Sequence, residues 1–206
     1  MAEPRNAENI LWIDCEMTGL NPYLPREGLR EGQPFVPDRI LEIACIATNW
    51  KLEPLDGGVE YIVKTEKEVL DNMNDWCIAQ HGKTGLTKAC LESKYTMEAV
   101  DTLVTDYVRK HFPPSTPALL AGNSVHADRA FINKDLPLLA SKLHYRILDV
   151  SSIKELARRW YPNKVASSEL KRKEEAEHRA LSDILASIEE LKFYRQHLFQ
   201  PVEAKE

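Results

Sequence analysis

Ile10-Leu11-Trp12-Ile13-Asp14-Cys15-Glu16-Met17-Thr18-Gly19-Leu20 sets two acids inside an apolar run that reads as a β-strand. Side chains on a strand alternate faces, so Asp14 and Glu16 share one face while Ile13 and Cys15 point to the other. A carboxylate in a half-buried strand is disfavoured unless it is paired, hydrogen-bonded or bound to metal. Two ionised ones about 4 Å apart repel by roughly 4 kcal/mol at an effective dielectric near 20. A divalent cation meets the requirement. The other reading sends one acid to solvent at the end of an edge strand, and the remaining acids of the chain choose between the two.

Working outward, Asn21 to Asp38 holds Pro22, Pro25, Pro34 and Pro37 and reads as a surface excursion. Arg39–Thr48 and Val59–Lys64 are a second and a third strand, with Asp56-Gly57-Gly58 as the turn between them. Short helical pieces follow over Glu66–His81. Over Thr96–His111 apolar residues recur at 97, 100, 103, 104, 107 and 108, an amphipathic helix capped by Thr96. A short buried strand over Pro117–Gly122 leads to a helix from His126, and Pro137 suits the first turn of another helical piece. Tyr145–Asp149 is a fifth strand, Ser151–Trp160 a helix, Asn163–Glu177 a polar stretch and Arg179–Leu198 a long helix. A meander followed by alternating helix and strand gives an α/β fold, a mixed five-stranded sheet flanked by helices. It forms one domain over 9–199, with the excursion at 21–38 and tails at 1–8 and 200–206.

Composition limits what such a domain does. A 206-residue chain that is 43% hydrophobic buries a sizeable core, and a net charge of −5 argues against coating long nucleic acid through a broad basic surface. A short nucleic-acid ligand stays open. Cys15, Cys45, Cys77 and Cys90 are widely spaced without a Cys-x-x-Cys pair, which favours reduced core thiols of an intracellular protein over a zinc site. The first residues carry neither an apolar signal core nor an Arg-rich transit pattern, and no apolar run approaches membrane-spanning length. A soluble protein is expected, cytoplasmic or mitochondrial, with no membrane partner.

Further acids stand where a site would form. Asp128 follows Gly122-Asn-Ser-Val-His-Ala127 in the first turn of a helix after a strand, where helix-dipole stabilisation alone would also explain an acid. Asp183 lies in the last helix, five residues after His178. That spacing turns an ideal helix by about 500°, so His178 belongs in the frayed start or in the loop before it. Singly, a histidine there reads as a solvated side chain, and the run Lys171-Arg-Lys-Glu-Glu175 as a solvated loop.

Together, the strand Asp-x-Glu, the Asp opening a distant helix and the late His-x4-Asp form the ordered pattern of DEDD exonucleases of the histidine type. The local words Trp-Ile-Asp-Cys-Glu-Met-Thr-Gly-Leu, Gly-Asn-Ser-Val-His-Ala-Asp-Arg, His144-Tyr-Arg-Ile-Leu-Asp-Val-Ser and His178-Arg-Ala-Leu-Ser-Asp-Ile resemble the oligoribonuclease family over about 9–199. The resemblance implies a ribonuclease H-like fold, a homodimer, and 3′-to-5′ release of 5′-mononucleotides from very short single-stranded RNA. It also implies two Mg²⁺ or Mn²⁺ ions per active site. Four carboxylates, Asp14, Glu16, Asp128 and Asp183, suit two such ions about 3.5–4 Å apart, and a neutral His178 suits removal of a proton from the attacking water.

Substrate contacts follow from the same resemblance. It sets Met17 and Leu20 beside the terminal bases, with Leu20 a wedge between them, Trp76 as a stacking platform, His81 near the nucleotide and Ser124 at the 3′ end. Tyr145, Arg146 and Ser151 of a neighbouring subunit would cap the far phosphate. Trp76 also reads as a core aromatic, and Tyr145 and Arg146 as a strand end packed in their own subunit. The Pro-rich excursion departs from shorter family members. Two other functions share these features: an exonuclease of the same fold trimming longer RNA or DNA, and an idle nucleic-acid-binding module.

Overall fold

In the computed structural model, which describes residues 9–23, 37–166 and 179–199, the acid-bearing strand β1 (Ile10–Met17) lies in the middle of the sheet. The expected tails, most of the excursion, the 171–175 run and His178 lie outside the described residues. β1 pairs antiparallel with β2 (Ile40–Thr48), which pairs antiparallel with β3 (Val59–Ile62). On its other side β1 runs parallel to β4 (Ala118–Gly122), and β4 parallel to β5 (Leu143–Asp149), giving the order β3-β2-β1-β4-β5. A central β1 removes the reading of Asp14 or Glu16 as an acid on an edge strand.

The helices are α1 (Lys67–Asp71), α2 (Asp75–Lys83), α3 (Leu86–Glu92), α4 (Met97–His111), α5 (His126–Asp135), α6 (Pro137–Ala140), α7 (Val150–Trp160), α8 (Pro162–Ala166) and α9 (Ala180–His197). Thr96 caps α4 as expected, its hydroxyl accepting from Ala99 N–H. Tertiary packing moves several boundaries. The third strand ends at Ile62, although Val63 N–H still donates to Leu41 O at 2.8 Å, and the fifth begins at Leu143, opposite Ala118. Neither α3 nor α8 is anticipated by the sequence. The buried Leu86 and Cys90 hold α3 in a small cluster with Leu41 and Leu70, a contact no local pattern announces.

Period-two alternation sorts the core. Leu11, Ile13 and Cys15 of β1 join Ile43 and Cys45 of β2 on the face covered by α4, α5 and α6, through Val104, Phe131 and Leu139 among others. Trp12 joins Ala44 and Ile46 on the opposite face, under α7 and α9, with Ala157, Ile184 and Tyr194. Both faces of β2 are covered, so all of its residues are buried. The four cysteines are free and buried. Among the described residues, no helix is long and apolar enough to cross a membrane.

Candidate active site

Asp14 and Glu16 sit on the α9 face of β1, continuing the row of Trp12 toward the strand's C-terminal end. α9 meets that end with its first turn, which carries Asp183. Carboxylate oxygens of Asp14, Glu16 and Asp183 lie within 4.8 Å of one another. Asp128, in the first turn of α5, stands behind this group: it is 5% exposed, and its Oδ1 accepts the Cys15 N–H at 2.9 Å. Three of the four acids read from the sequence therefore form one cluster, with Asp128 of α5 a buried neighbour tied to the β1 backbone at Cys15, between Asp14 and Glu16.

Burial, joined by mutual repulsion at Asp14 and Glu16, raises the proton affinity of Asp14, Glu16 and Asp128. Asp14 is pushed well above the ordinary carboxyl range by burial, and then by the charges of Asp128, Asp183 and Glu16. Burial pushes Glu16 up to about 8, helped by Glu42 and Asp183 and opposed by Arg179. Asp128 rises to about 7 by burial, against hydrogen bonds that favour its charged form. An all-oxygen set of carboxylates that repel one another fits a hard divalent cation, which removes the repulsion when it binds.

The surrounding loops are fixed by hydrogen bonds. β4 approaches β1 so closely at Gly122 that an added Cβ would lie 2.9 Å from Ile13 O. Beyond it Ser124 adopts φ 51°, a left-handed conformation held by its N–H donating to Asp149 Oδ1 and Ser151 Oγ, both at 3.0 Å. Ser151 Oγ–H donates to Asn123 Oδ1 at 3.0 Å, and Asn123 Nδ2 donates to Ser187 Oγ at 2.8 Å. Ser187 in turn donates to the Asp183 carbonyl at 2.9 Å, linking the end of β4 to the turn of α9 that bears Asp183. Ser151 hydrogen-bonds beside Ser124 in its own chain, because α7 starts where parallel β5 ends, next to β4.

On the opposite side of the cluster, His81 of α2 is 1% exposed, so its ring is covered rather than presented to the surface. Its Nε2–H donates to Met17 O at 2.9 Å, leaving Nδ1 without a hydrogen bond and 3.9 Å from Glu16 Oε2. Burial lowers its pKa, which keeps the ring neutral. Met17 is half-buried beside it, and Leu20 projects with 78% exposure from a turn clasped by Asp38. There Thr18 Oγ1–H and Asn21 N–H each donate to the Asp38 carboxylate at 3.0 Å. Trp76 is 65% exposed and Tyr145 76%, so neither is a core aromatic. Arg146 is exposed too, its guanidinium 4.9 Å from the Tyr145 ring centroid.

Residues 11–191 match the family described as Exonuclease. The mitochondrial oligoribonuclease of Mus musculus is 44% identical over 94% of this chain and 75% of its own length. The oligoribonuclease of Neisseria meningitidis serogroup C is 43% identical over 94% of both chains. The chain belongs to the oligoribonuclease family. Among solved structures, the exonuclease I of Methylocaldum szegediense superposes with a TM-score of 0.65 at 18% identity, and E. coli exonuclease I in complex with a 5cy-dT13 oligonucleotide with 0.64 at 14%. Each match covers 93% of this chain but 41% of the other, so the chain spans about two fifths of those solved chains and shares their fold.

Sequence reasoning missed three residues that shape this oligoribonuclease site. Glu42 stands opposite Glu16 across β1 and β2, fully buried, and binds Arg179. A lone acid in the apolar run Ile-Leu-Glu-Ile-Ala, one alternation step from Ala44, was the available signal. Asn123, which links Ser151 to Ser187, carries no local signal beyond its place in Gly-Asn-Ser-Val-His, and Asp38 reads in sequence only as the end of the Pro-rich excursion.

Proposed function

We propose that the protein is a 3′-to-5′ exoribonuclease that degrades oligoribonucleotides of two to a few nucleotides to 5′-mononucleotides. The observation that carries this is the triad of carboxylates from β1 and α9 within 4.8 Å, in a chain of the oligoribonuclease family. Asp14, Glu16 and Asp183, with Asp128 behind them, would hold two Mg²⁺ or Mn²⁺ ions. Bound there, such ions would position the scissile phosphate and offset the charge that builds on it during in-line displacement. His178, joined in sequence to the start of α9, would take the proton of the attacking water; a neutral imidazole is the form that accepts it.

Exposed Leu20 and Trp76 supply apolar surfaces for the bases, with Met17 beside them, and stacking is worth about 1–3 kcal/mol per base. Such contacts replace a long basic groove, consistent with the net charge of −5. Ser124, held in its strained turn by Ser151, faces the 3′ end. His81 acts near the nucleotide from below, by fixing the Met17 carbonyl and the Glu16 side of the site. Tyr145 and Arg146 lie on the sheet-edge strand β5, and α7 beside it exposes Leu156 and Trp160. This surface fits a homodimer in which they cap the far phosphate of the partner's substrate. We place the enzyme inside the cell, in the cytoplasm or mitochondria.

The test is hydrolysis of a labelled RNA dinucleotide with and without Mg²⁺, beside affinities of the Asp183→Ala protein for oligonucleotides of rising length at several salt concentrations. Metal-dependent cleavage to mononucleotides is expected, with affinity flat beyond a few nucleotides. For so few phosphates, the log-log salt slope should be about −1 or shallower. Affinity that climbs steadily with length would instead mark an exonuclease of long strands.

A further inference from the structure

We propose that the Glu42–Arg179 ion pair is a positioning device that fixes Asp183 against the β1 acids. It rests on the reading of Asp14, Glu16 and Asp183 as metal ligands. Glu42 and Glu16 are direct cross-strand partners, an arrangement of like charges that costs stability wherever it is not compensated. Glu42 is wholly buried, so its compensation comes from within the protein. Arg179 provides it: Nη2 donates to Glu42 Oε1 at 2.6 Å, and Nε donates to Oε1 at 3.1 Å and to Oε2 at 3.2 Å. Arg179 Nη2 also reaches Glu60 Oε2 at 3.5 Å, so two strands grip one guanidinium.

The grip falls where α9 begins. Arg179 occupies the N-cap position of α9 but makes no capping hydrogen bond with its own side chain. Glu42 Oε2 instead lies 3.5 Å from the Ala180 N–H, placing a carboxylate of another strand at the positive end of the helix. The Arg179 carbonyl accepts the Asp183 N–H at 3.1 Å, so the residue held by Glu42 also sets the turn that carries Asp183. An apolar pair would pack β2 against α9 as well. The charged pair adds an angular constraint, because a guanidinium held at two nitrogens has one orientation.

Binding of Mn²⁺, followed by loss of the free-ion electron paramagnetic resonance signal, tests this on the full chain below its melting temperature. Deleting a positive charge next to a cation site by itself tightens cation binding, whereas loss of ligand position weakens it. Arg179→Ala is therefore expected to weaken Mn²⁺ binding by about tenfold, the scale of losses from groups that orient ligands without touching the metal. Arg179→Lys, which keeps the charge and loses the fork, is expected to fall between the two proteins. Should Arg179→Ala fail to fold, Arg179→Lys decides alone. Unchanged or tighter binding in the folded variants, even with a lowered melting temperature, would overturn the proposal and leave the pair a purely structural bond. A wild type that binds Mn²⁺ and shows this contrast but leaves the dinucleotide intact would overturn the substrate reading and not this one. No Mn²⁺ binding by the wild type would overturn this proposal along with the metal-ligand reading.

Discussion

Burial, helped by the neighbouring charges of Glu42 and Asp183, pushes Glu16 up from 4.5 to about 8, and the sign of that shift fixes how the metal-free protein responds to pH. A carboxyl whose folded pKa is raised keeps its proton more tightly in the folded state. The stability it contributes is complete below about 4.5 and is lost as pH rises through about 8. The melting temperature of chelator-treated protein should therefore fall from pH 5 to pH 8.5, and Mg²⁺ should restore it mostly at the alkaline end. Glu16→Gln should flatten the slope; a profile equally steep in that variant would assign it elsewhere. Activity lost in Asp14→Ala, Glu16→Ala, Asp128→Ala and Asp183→Ala should come with an intact fold, since each loses a carboxyl group and little core volume. His178→Ala differs in kind. Its rate should drop by about 10²-fold or more with Mn²⁺ affinity retained, because its proposed task is a proton. Calorimetric titration beside turnover separates the two classes.

At the scale of the element, β1 ends in a turn whose form is imposed by one buried carboxylate. Asp38 accepts from Thr18 and Asn21, Thr18 N–H donates to Arg39 O at 3.0 Å, and Lys134 Nζ donates to Asp38 O at 3.0 Å. Gly19 passes against that carboxylate, where an added Cβ would meet Asp38 Oδ2 at 2.3 Å. Gly19→Ala should cost about 1–3 kcal/mol, as overpacking does, and displace Leu20 with the turn. The expected outcome is a severalfold rise in KM for a dinucleotide with unchanged Mn²⁺ affinity, read from steady-state kinetics and metal titration. A loss of metal affinity instead would tie the turn to the acid cluster.

For the whole molecule, the question is whether one chain completes the site. β5 is an edge strand on which Tyr145 and Arg146 are exposed, and the following helix α7 exposes the apolar Leu156 and Trp160. Mixing inactive Asp14→Ala protein with inactive Arg146→Ala protein should restore part of the activity once subunits exchange, since half of the composite sites in the heterodimer are then intact. No recovery after exchange is confirmed by mass spectrometry would confine Arg146 to its own chain.

The sequence by itself determined that the five strands and the longer helices exist, though not their bounds, because period-two and period-3.6 patterns are local properties of the side chains. It also placed Asp14 and Glu16 on one face and Asp128 in a first turn, and its motif words carried the family. Only the tertiary structure decided how these parts meet. Pairing on both sides made β1 central, and packing of α9 against β1 and β2 brought Asp183 to the strand acids across a long stretch of chain. Asp128 was drawn inward to a backbone N–H, and His81 was covered instead of displayed. Glu42 gained its partner 137 residues away. Such pairings depend on which surfaces are buried together, and a buried charge reveals its partner only when the strands and helices that enclose it are in place.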